Sequence, residues 1–260
     1  MLKFGIRQSF ENMLDARLKN MYFPEKKDIP LAYNDIKRWY ANLIYECNDA
    51  GYEKKYVDLL TDAKLYYGKY LSDKTRTFFL HHLGDNLVKT VNYLFGQNKD
   101  NIRFLEIGCG CGNQLLLAAL LGADVVGCDI RQDVCDLIYK RKDFYEKISG
   151  RKLNITLVCG NVFKVDWEKF GKFDAINYLF SFNLSPKGKN IDLISNLLRP
   201  GGRTVIQEYN ASNYYNRISR SLDALKPSEV MKMLKVRNFK ISSLKGGYAL
   251  PPFFWRFLPK

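Results

Sequence analysis

Two carboxylates and three alternating glycines hold the most chemically specific spacing in this 260-residue chain. The segment Ile102-Arg103-Phe104-Leu105-Glu106-Ile107-Gly108-Cys109-Gly110-Cys111-Gly112-Asn113 runs from an apolar strand through an acid into a nearly bare turn, and an apolar helix follows. Gly108, Gly110 and Gly112 allow positive φ and let a ligand lie directly on the main chain at a helix N-terminus. Such a loop suits a nucleoside cofactor. A dinucleotide fingerprint, G-x-G-x-x-G, would need its third glycine at position 113, where Asn113 stands, so the run is G-x-G-x-G instead. Further on, Asp124-Val125-Val126-Gly127-Cys128-Asp129-Ile130 reads as a second buried strand that ends in an acid. Asp129 follows Gly108 at the roughly 20-residue spacing at which a βαβ unit presents a carboxylate to the two hydroxyls of a ribose.

The next segments keep a fixed order. Leu115 to Leu121 is an apolar run suited to a buried helix, and Asn154 to Gly160 reads as a third strand leading into Asn161-Val162-Phe163. Phe173 to Phe180 is a fourth strand, and Leu197-Leu198-Arg199-Pro200-Gly201-Gly202 opens onto a fifth that ends near Glu208. Over roughly residues 102–210 this set resembles the class I S-adenosylmethionine (SAM) dependent methyltransferases: Glu106 with G-x-G-x-G matches the family's first motif, and L-x-P-G-G its usual entry to strand five. The resemblance implies a doubly wound α/β fold with a seven-stranded, mostly parallel sheet in the order 3-2-1-4-5-7-6. It also implies SAM as cofactor. In the roles it carries over, Glu106 holds the methionine amino group, Asp129 the ribose and Asn161 the adenine amino group. Gly108, Cys109, Gly110 and Gly112 form the cradle, and Ile130, Val162, Tyr178 and Tyr67 complete the cofactor set.

Methyl transfer from SAM is an in-line displacement, so a protein serves it chiefly by alignment and exclusion of water. The catalytic residue is accordingly unassigned. His81 and His82 are secondary candidates for a base, but neighbours on a helix point about 100° apart, so one at most faces a site easily. Glu208 at the mouth of strand five and Asn183 after strand four are further candidates, because ligands gather at the C-terminal ends of parallel strands. Asn183-Leu184-Ser185-Pro186 is not the N-P-P-Y type of tetrad found in enzymes that methylate amino groups of bases.

The elements that must position these residues are legible in the periodicity. Ile36, Trp39, Tyr40, Leu43, Ile44 and Cys47 recur at helical spacing over Tyr33 to Cys47, with a second helix expected over Lys54 to Leu65 and a long third over Lys74 to Phe95. Residues 1–75 read as a helical cap or substrate lid carrying Trp39 and Tyr66-Tyr67-Gly68-Lys69-Tyr70, and residues 76–260 as the SAM-binding domain. Pro227-Ser228-Glu229-Val230 starts a helix expected to reach Arg237. After it, Asn238 to Leu244 alternates like a strand, and Tyr248 to Leu258, interrupted by Pro251-Pro252, suits an antiparallel seventh.

Composition sets the remaining bounds. Lys and Arg number 41 against 27 Asp and Glu, a net charge of +14. From Arg199 onward 12 basic residues face three acids. Such a surface can hold an anionic small acceptor, RNA or an anionic membrane, or serve solubility alone. No RNA-binding signature or arginine-rich block accompanies it, so a small-molecule acceptor is preferred. An RNA or tRNA methyltransferase, a SAM-binding partner protein without turnover, and a membrane-associated enzyme using the aromatics from Phe253 to Leu258 stay open as alternatives. The six cysteines include no C-x-x-C pair and no downstream H-x-x-x-H, so no metal site is expected. No stretch is long and apolar enough to span a bilayer, and reduced cysteines favour the cytoplasm.

Overall fold

Five apolar segments form one parallel sheet in the order β3-β2-β1-β4-β5. They are β1 (Arg103–Ile107), β2 (Asp124–Asp129), β3 (Ile155–Cys159), β4 (Phe173–Leu179) and β5 (Leu198–Gln207). The computed structural model describes residues 18–62, 67–96, 101–208 and 226–245. The chain winds outward from β1 through β2 to β3, then returns to lay β4 on the other side of β1. That reversal opens a crevice at the C-terminal ends of β1 and β4, the place where open α/β sheets hold ligands.

Alternation along the strands sorts the core into two faces. Leu105, Ile107, Val126, Cys128, Ile176 and Tyr178 share one cluster with Ile191, Ile194 and Leu197 of α8 (Lys187–Leu197) and Val230 of α9 (Pro227–Val236). Phe104, Val125 and Ala175 belong to the other, with α5 (Asp85–Phe95), α6 (Asn113–Leu120) and α7 (Gln132–Ser149). The helices α1 (Tyr33–Asp49), α2 (Lys54–Thr61), α3 (Tyr67–Leu71) and α4 (Asp73–Phe79) precede the first strand. Buried residues of α1 to α4, among them Ile36, Trp39, Leu60, Tyr70 and Phe79, join that second cluster.

The burial of α6 explains why these N-terminal helices are needed. All eight of its residues are buried. A helix buried all round must be covered on its outer side as well as against the sheet. The cover includes α1: Gln114 Nε2 donates to Tyr40 Oη at 3.1 Å.

The expected helix over Lys74 to Phe95 is present as α4 and α5 joined by a π turn, Leu80–Gly84. A Cβ on Gly84 would come within 2.7 Å of the Tyr33 ring, so the turn packs tightly on α1. Strand five is less regular than expected. Its register to β4 shifts between Phe173↔Leu198 and Ala175↔Arg203, so the Pro200-Gly201-Gly202 turn is accommodated as a bulge with Gly201 at φ 75°.

The expectation of a strand over Asn238 to Leu244 is corrected: residues 239–245 form no strand. Asn238 takes a left-handed φ of 60°, Phe239 N–H donates to Leu234 O at 3.1 Å, and the Phe239 ring packs on the α8–α9 side of the core. The apolar residue that suggested alternation is thus spent on terminating α9. The proposed seventh strand, Tyr248 to Leu258, and Tyr66 lie outside the described residues. Among the described residues no helix is long and apolar enough to cross a membrane.

Candidate functional site at the glycine turn

The turn after β1 is built on three positive-φ glycines that serve different ends. Gly108, Gly110 and Gly112 have φ of 68°, 50° and 77°. A Cβ on Gly108 would lie 2.3 Å from Ser181 Cβ, and one on Gly112 would lie 2.8 Å from Ile138 Cγ1. Those two glycines let protein approach protein. A Cβ on Gly110 would meet nothing within 4 Å, so the middle glycine leaves open space over the main chain.

Hydrogen bonds fix this turn against β2. Gly108 N–H and Cys109 N–H both donate to Cys128 O, at 2.8 and 3.2 Å. Asp129 accepts Gly110 N–H on Oδ2 and Arg131 N–H on Oδ1, each at 3.0 Å. The acid that ends β2 therefore stands beside the middle glycine, although 19 residues separate them. Just past β3, whose last residue Cys159 pairs with Asp129, Gly160 donates its N–H to Asp129 O at 2.8 Å and has φ 150° with open space above its Cα. Asn161 accepts Phe163 N–H on Oδ1 at 2.9 Å, which caps a short 3-10 turn and fixes the side chain there.

Glu106 is the most perturbed carboxylate of the crevice. It is 1% exposed, and its Oε1 accepts from Asn177 Nδ2 at 3.1 Å while Oε2 is buried without a hydrogen-bond partner. Burial pushes its carboxyl up to about 8; the Asn177 hydrogen bond opposes the rise and the negative Asp129 adds to it. A buried acceptor of this kind is stable only if protonated or if a cation or strong donor is brought to it.

The structure brings together Glu106, Gly108, Gly110, Gly112 and Asp129, with Gly160 and Asn161 alongside in the turn that follows β3. Ile130 is 72% exposed next to Asp129, an apolar side chain without protein cover. Val162 is partly buried against the α8–α9 side of the core. Two expected contacts are redirected. Tyr178 is fully buried, packs against Phe182 with ring centroids 5.2 Å apart and donates to Asn190 Oδ1 at 3.4 Å. Alternation on β4 turns it away from Asn177 and Leu179, the residues on the Glu106 face. Cys109 is 2% exposed with its sulfur turned toward Gly127, so it offers the turn only its backbone.

The candidates for proton transfer scatter. His81 is exposed on the π turn, and the side chain of His82 lies outside the described residues, as does that of Tyr67, which begins α3. Glu208 accepts Phe182 N–H at 2.5 Å and Asn183 N–H at 3.3 Å through Oε1, so it pins the loop after β4. Asn183 is placed in that same loop by this carboxylate.

Sequence reasoning missed a buried ion pair behind the turn. Glu46 of α1 and Arg141 of α7 are both 0% exposed, with Arg141 Nε 2.7 Å from Glu46 Oε1. Arg141 also donates to Cys111 O and, at 3.0 Å, to Asn113 Oδ1. A charge on an otherwise polar helix reads as solvated surface, and Arg141 sits in the run Lys140-Arg141-Lys142.

The comparisons with known proteins agree with this geometry. No curated protein sequence matches the chain. Among solved structures, the magnesium protoporphyrin IX methyltransferase of Synechocystis PCC 6803, with bound S-adenosylhomocysteine, is 16% identical with a TM-score of 0.55, over 72% of this chain and 89% of that one. A phosphoethanolamine N-methyltransferase of Haemonchus contortus in complex with SAM is 17% identical with a TM-score of 0.51, over 73% of this chain and 45% of that one. An arsenic (III) SAM methyltransferase of Chlamydomonas reinhardtii is 22% identical with a TM-score of 0.46, over 53% of this chain; the chain spans about half, 52%, of that protein. At these identities the likeness to the first two is one of fold. Residues 79–241 match the family model of a methyltransferase domain, well over half of the chain. With that match, the glycine turn and the sheet order, the chain belongs to the class I SAM-dependent methyltransferases.

Proposed function

We propose that this enzyme transfers the methyl group of SAM to an oxygen or nitrogen of a small metabolite in the cytoplasm. SAM supplies an electrophilic methyl on a sulfonium. The observation that carries the reading is the unpartnered, buried Oε2 of Glu106 beside a bare glycine turn. It suits an ammonium such as that of the methionine moiety, which favours the ionised carboxylate, whereas the phosphates of a dinucleotide bring no cation to it. The open space over Gly110 takes the cofactor against the main chain, and Asp129, already aligned by Gly110 and Arg131, has lone pairs left for a ribose diol. Asn161, exposed Ile130 and Val162 then frame the adenine.

Residues 1–75 act in this account as a cap, and 76–260 as the cofactor domain. The packing of α1 and α2 on the turn supports a roofed site: Tyr40 meets Gln114, and Cys111 Sγ donates to Leu59 O at 3.8 Å. A roof favours a small acceptor over a polymer. The named substrates of the two structural relatives with the higher TM-scores, a porphyrin and phosphoethanolamine, are small molecules of this kind. Among the C-terminal cations, Arg199, Lys226 and Arg237 are paired with Asp174, Glu229 and Asp192, which suits a solvated surface better than a phosphate-tracking stripe.

The test is transfer of label from methyl-tritiated SAM into a cell extract divided by size. Label in the low-mass filtrate is the expected result. Label confined to RNA would replace this reading by an RNA methyltransferase, and SAM binding without any labelled product would replace it by a cofactor-binding partner protein.

A further inference from the structure

A guanidinium buried behind a cofactor turn, held by a carboxylate from a helix 95 residues earlier, needs a reason beyond packing. Arg141 donates through Nε to Glu46 Oε1 at 2.7 Å and through Nη2 to Glu46 Oε2 at 2.9 Å, the two-pronged geometry that most restricts an arginine. Tyr145 and Tyr52 hydroxyls donate to the same carboxylate, each at 3.0 Å, so Glu46 has little freedom left. Of the donors Arg141 has left, one on Nη1 goes to Cys111 O and one on Nη2 to Asn113 Oδ1, the residues on either side of Gly112.

We propose that Arg141, locked by Glu46, is a positioning residue that presets the glycine turn for SAM, so that helix α1 sets cofactor affinity. The proposal rests on the reading that this turn holds SAM. A turn with three glycines in five residues loses much conformational entropy when a ligand orders it. Fixing the Cys111 carbonyl beforehand fixes the peptide that leads into Gly112 and α6, and ligand then binds a turn already in shape. Glu46 is the counter-charge that keeps a fully buried guanidinium in place; without it Arg141 must find water, and the Cys111 carbonyl loses its donor. Coupling between two sites is reciprocal, so cofactor on the turn must in return steady α1.

Hydrogen exchange on the wild-type protein, with and without saturating S-adenosylhomocysteine, reads that reciprocity without any substitution. The expected result is slowed exchange in the turn, in residues 43–49 of α1 and in residues 138–145 of α7, with α8 on the opposite face unchanged. Calorimetry then compares SAM affinity in E46Q and R141K with I194A, a core truncation on the α8 side. E46Q and R141K should weaken SAM at least 10-fold, while I194A should lower the melting temperature and leave affinity within about 2-fold. Protection confined to the turn, or wild-type affinity in either charge variant, overturns the proposal. If both charge variants fail to fold, the exchange result alone decides it. Failure of the wild type to bind S-adenosylhomocysteine would overturn the assignment of the turn itself, and this proposal with it.

Discussion

Asn177 Nδ2 donates to Glu106 Oε1 at 3.1 Å across the β1–β4 pair, and the other oxygen of Glu106 is left buried with no partner. The pair sits where the sheet reverses its winding, and it gives the crevice a pH dependence with a definite sign.

With its carboxyl raised to about 8, Glu106 is protonated at neutral pH until a cation arrives. Cofactor carrying an ammonium should therefore expel a proton. SAM affinity is expected to rise between pH 6 and 8, by at most about tenfold per pH unit, and calorimetry at pH 7 in buffers of differing ionisation enthalpy should register release approaching one proton. Proton-neutral binding would remove Glu106 from the ammonium. In the ligand-free protein the sign is opposite. The folded value exceeds the ordinary 4.5, so this group's contribution to stability is full below about pH 4.5 and is lost as pH rises toward 8. E106Q should flatten that loss in a denaturation series across pH 5 to 8 while weakening SAM.

Gly110 and Gly112 should separate under substitution. Gly110→Ala meets no protein atom and carries only the backbone cost of positive φ, about 1–2 kcal/mol, yet its methyl occupies the ligand's space. It is expected to fold and to lose at least 10-fold in SAM affinity. Gly112→Ala adds a contact at 2.8 Å from Ile138 and should lose stability as well. Thermal melts paired with SAM titrations check both, and normal binding by Gly110→Ala would place the ligand elsewhere.

The five strands and the turn were readable because buried parallel strands are continuous apolar runs and glycine has few other reasons to recur at alternate positions, whereas the order of the strands in the sheet came from the family resemblance. The facing of Tyr178 was not readable: β4 is buried on both sides, so no polar alternation marks which residues look toward the crevice. The pair Glu46–Arg141 was hidden by its 95-residue separation, and the π turn at Leu80–Gly84 has no residue pattern of its own. Phe239 and Ile241 suggested a strand, but two apolar residues cannot hold an edge whose next residues, Ser242 to Lys245, are exposed.

Alignment rather than proton transfer should dominate the rate. His81 is exposed on the π turn, so His81→Ala is expected to cost less than the roughly 10²-fold minimum for loss of a general base. Single-turnover rates with the acceptor found by labelling measure this. A loss of about three orders of magnitude at unchanged SAM affinity would make His81 the base.

The most direct test of the account is a calorimetric titration of wild type and Asp129→Ala with SAM and with NADH. The account predicts that wild type binds SAM, that NADH does not compete, and that Asp129→Ala weakens SAM by roughly 10- to 100-fold, as for lost charge-assisted hydrogen bonds worth about 1.5–3 kcal/mol. Equal SAM affinity in the variant, or tight NADH binding without SAM binding, would contradict it.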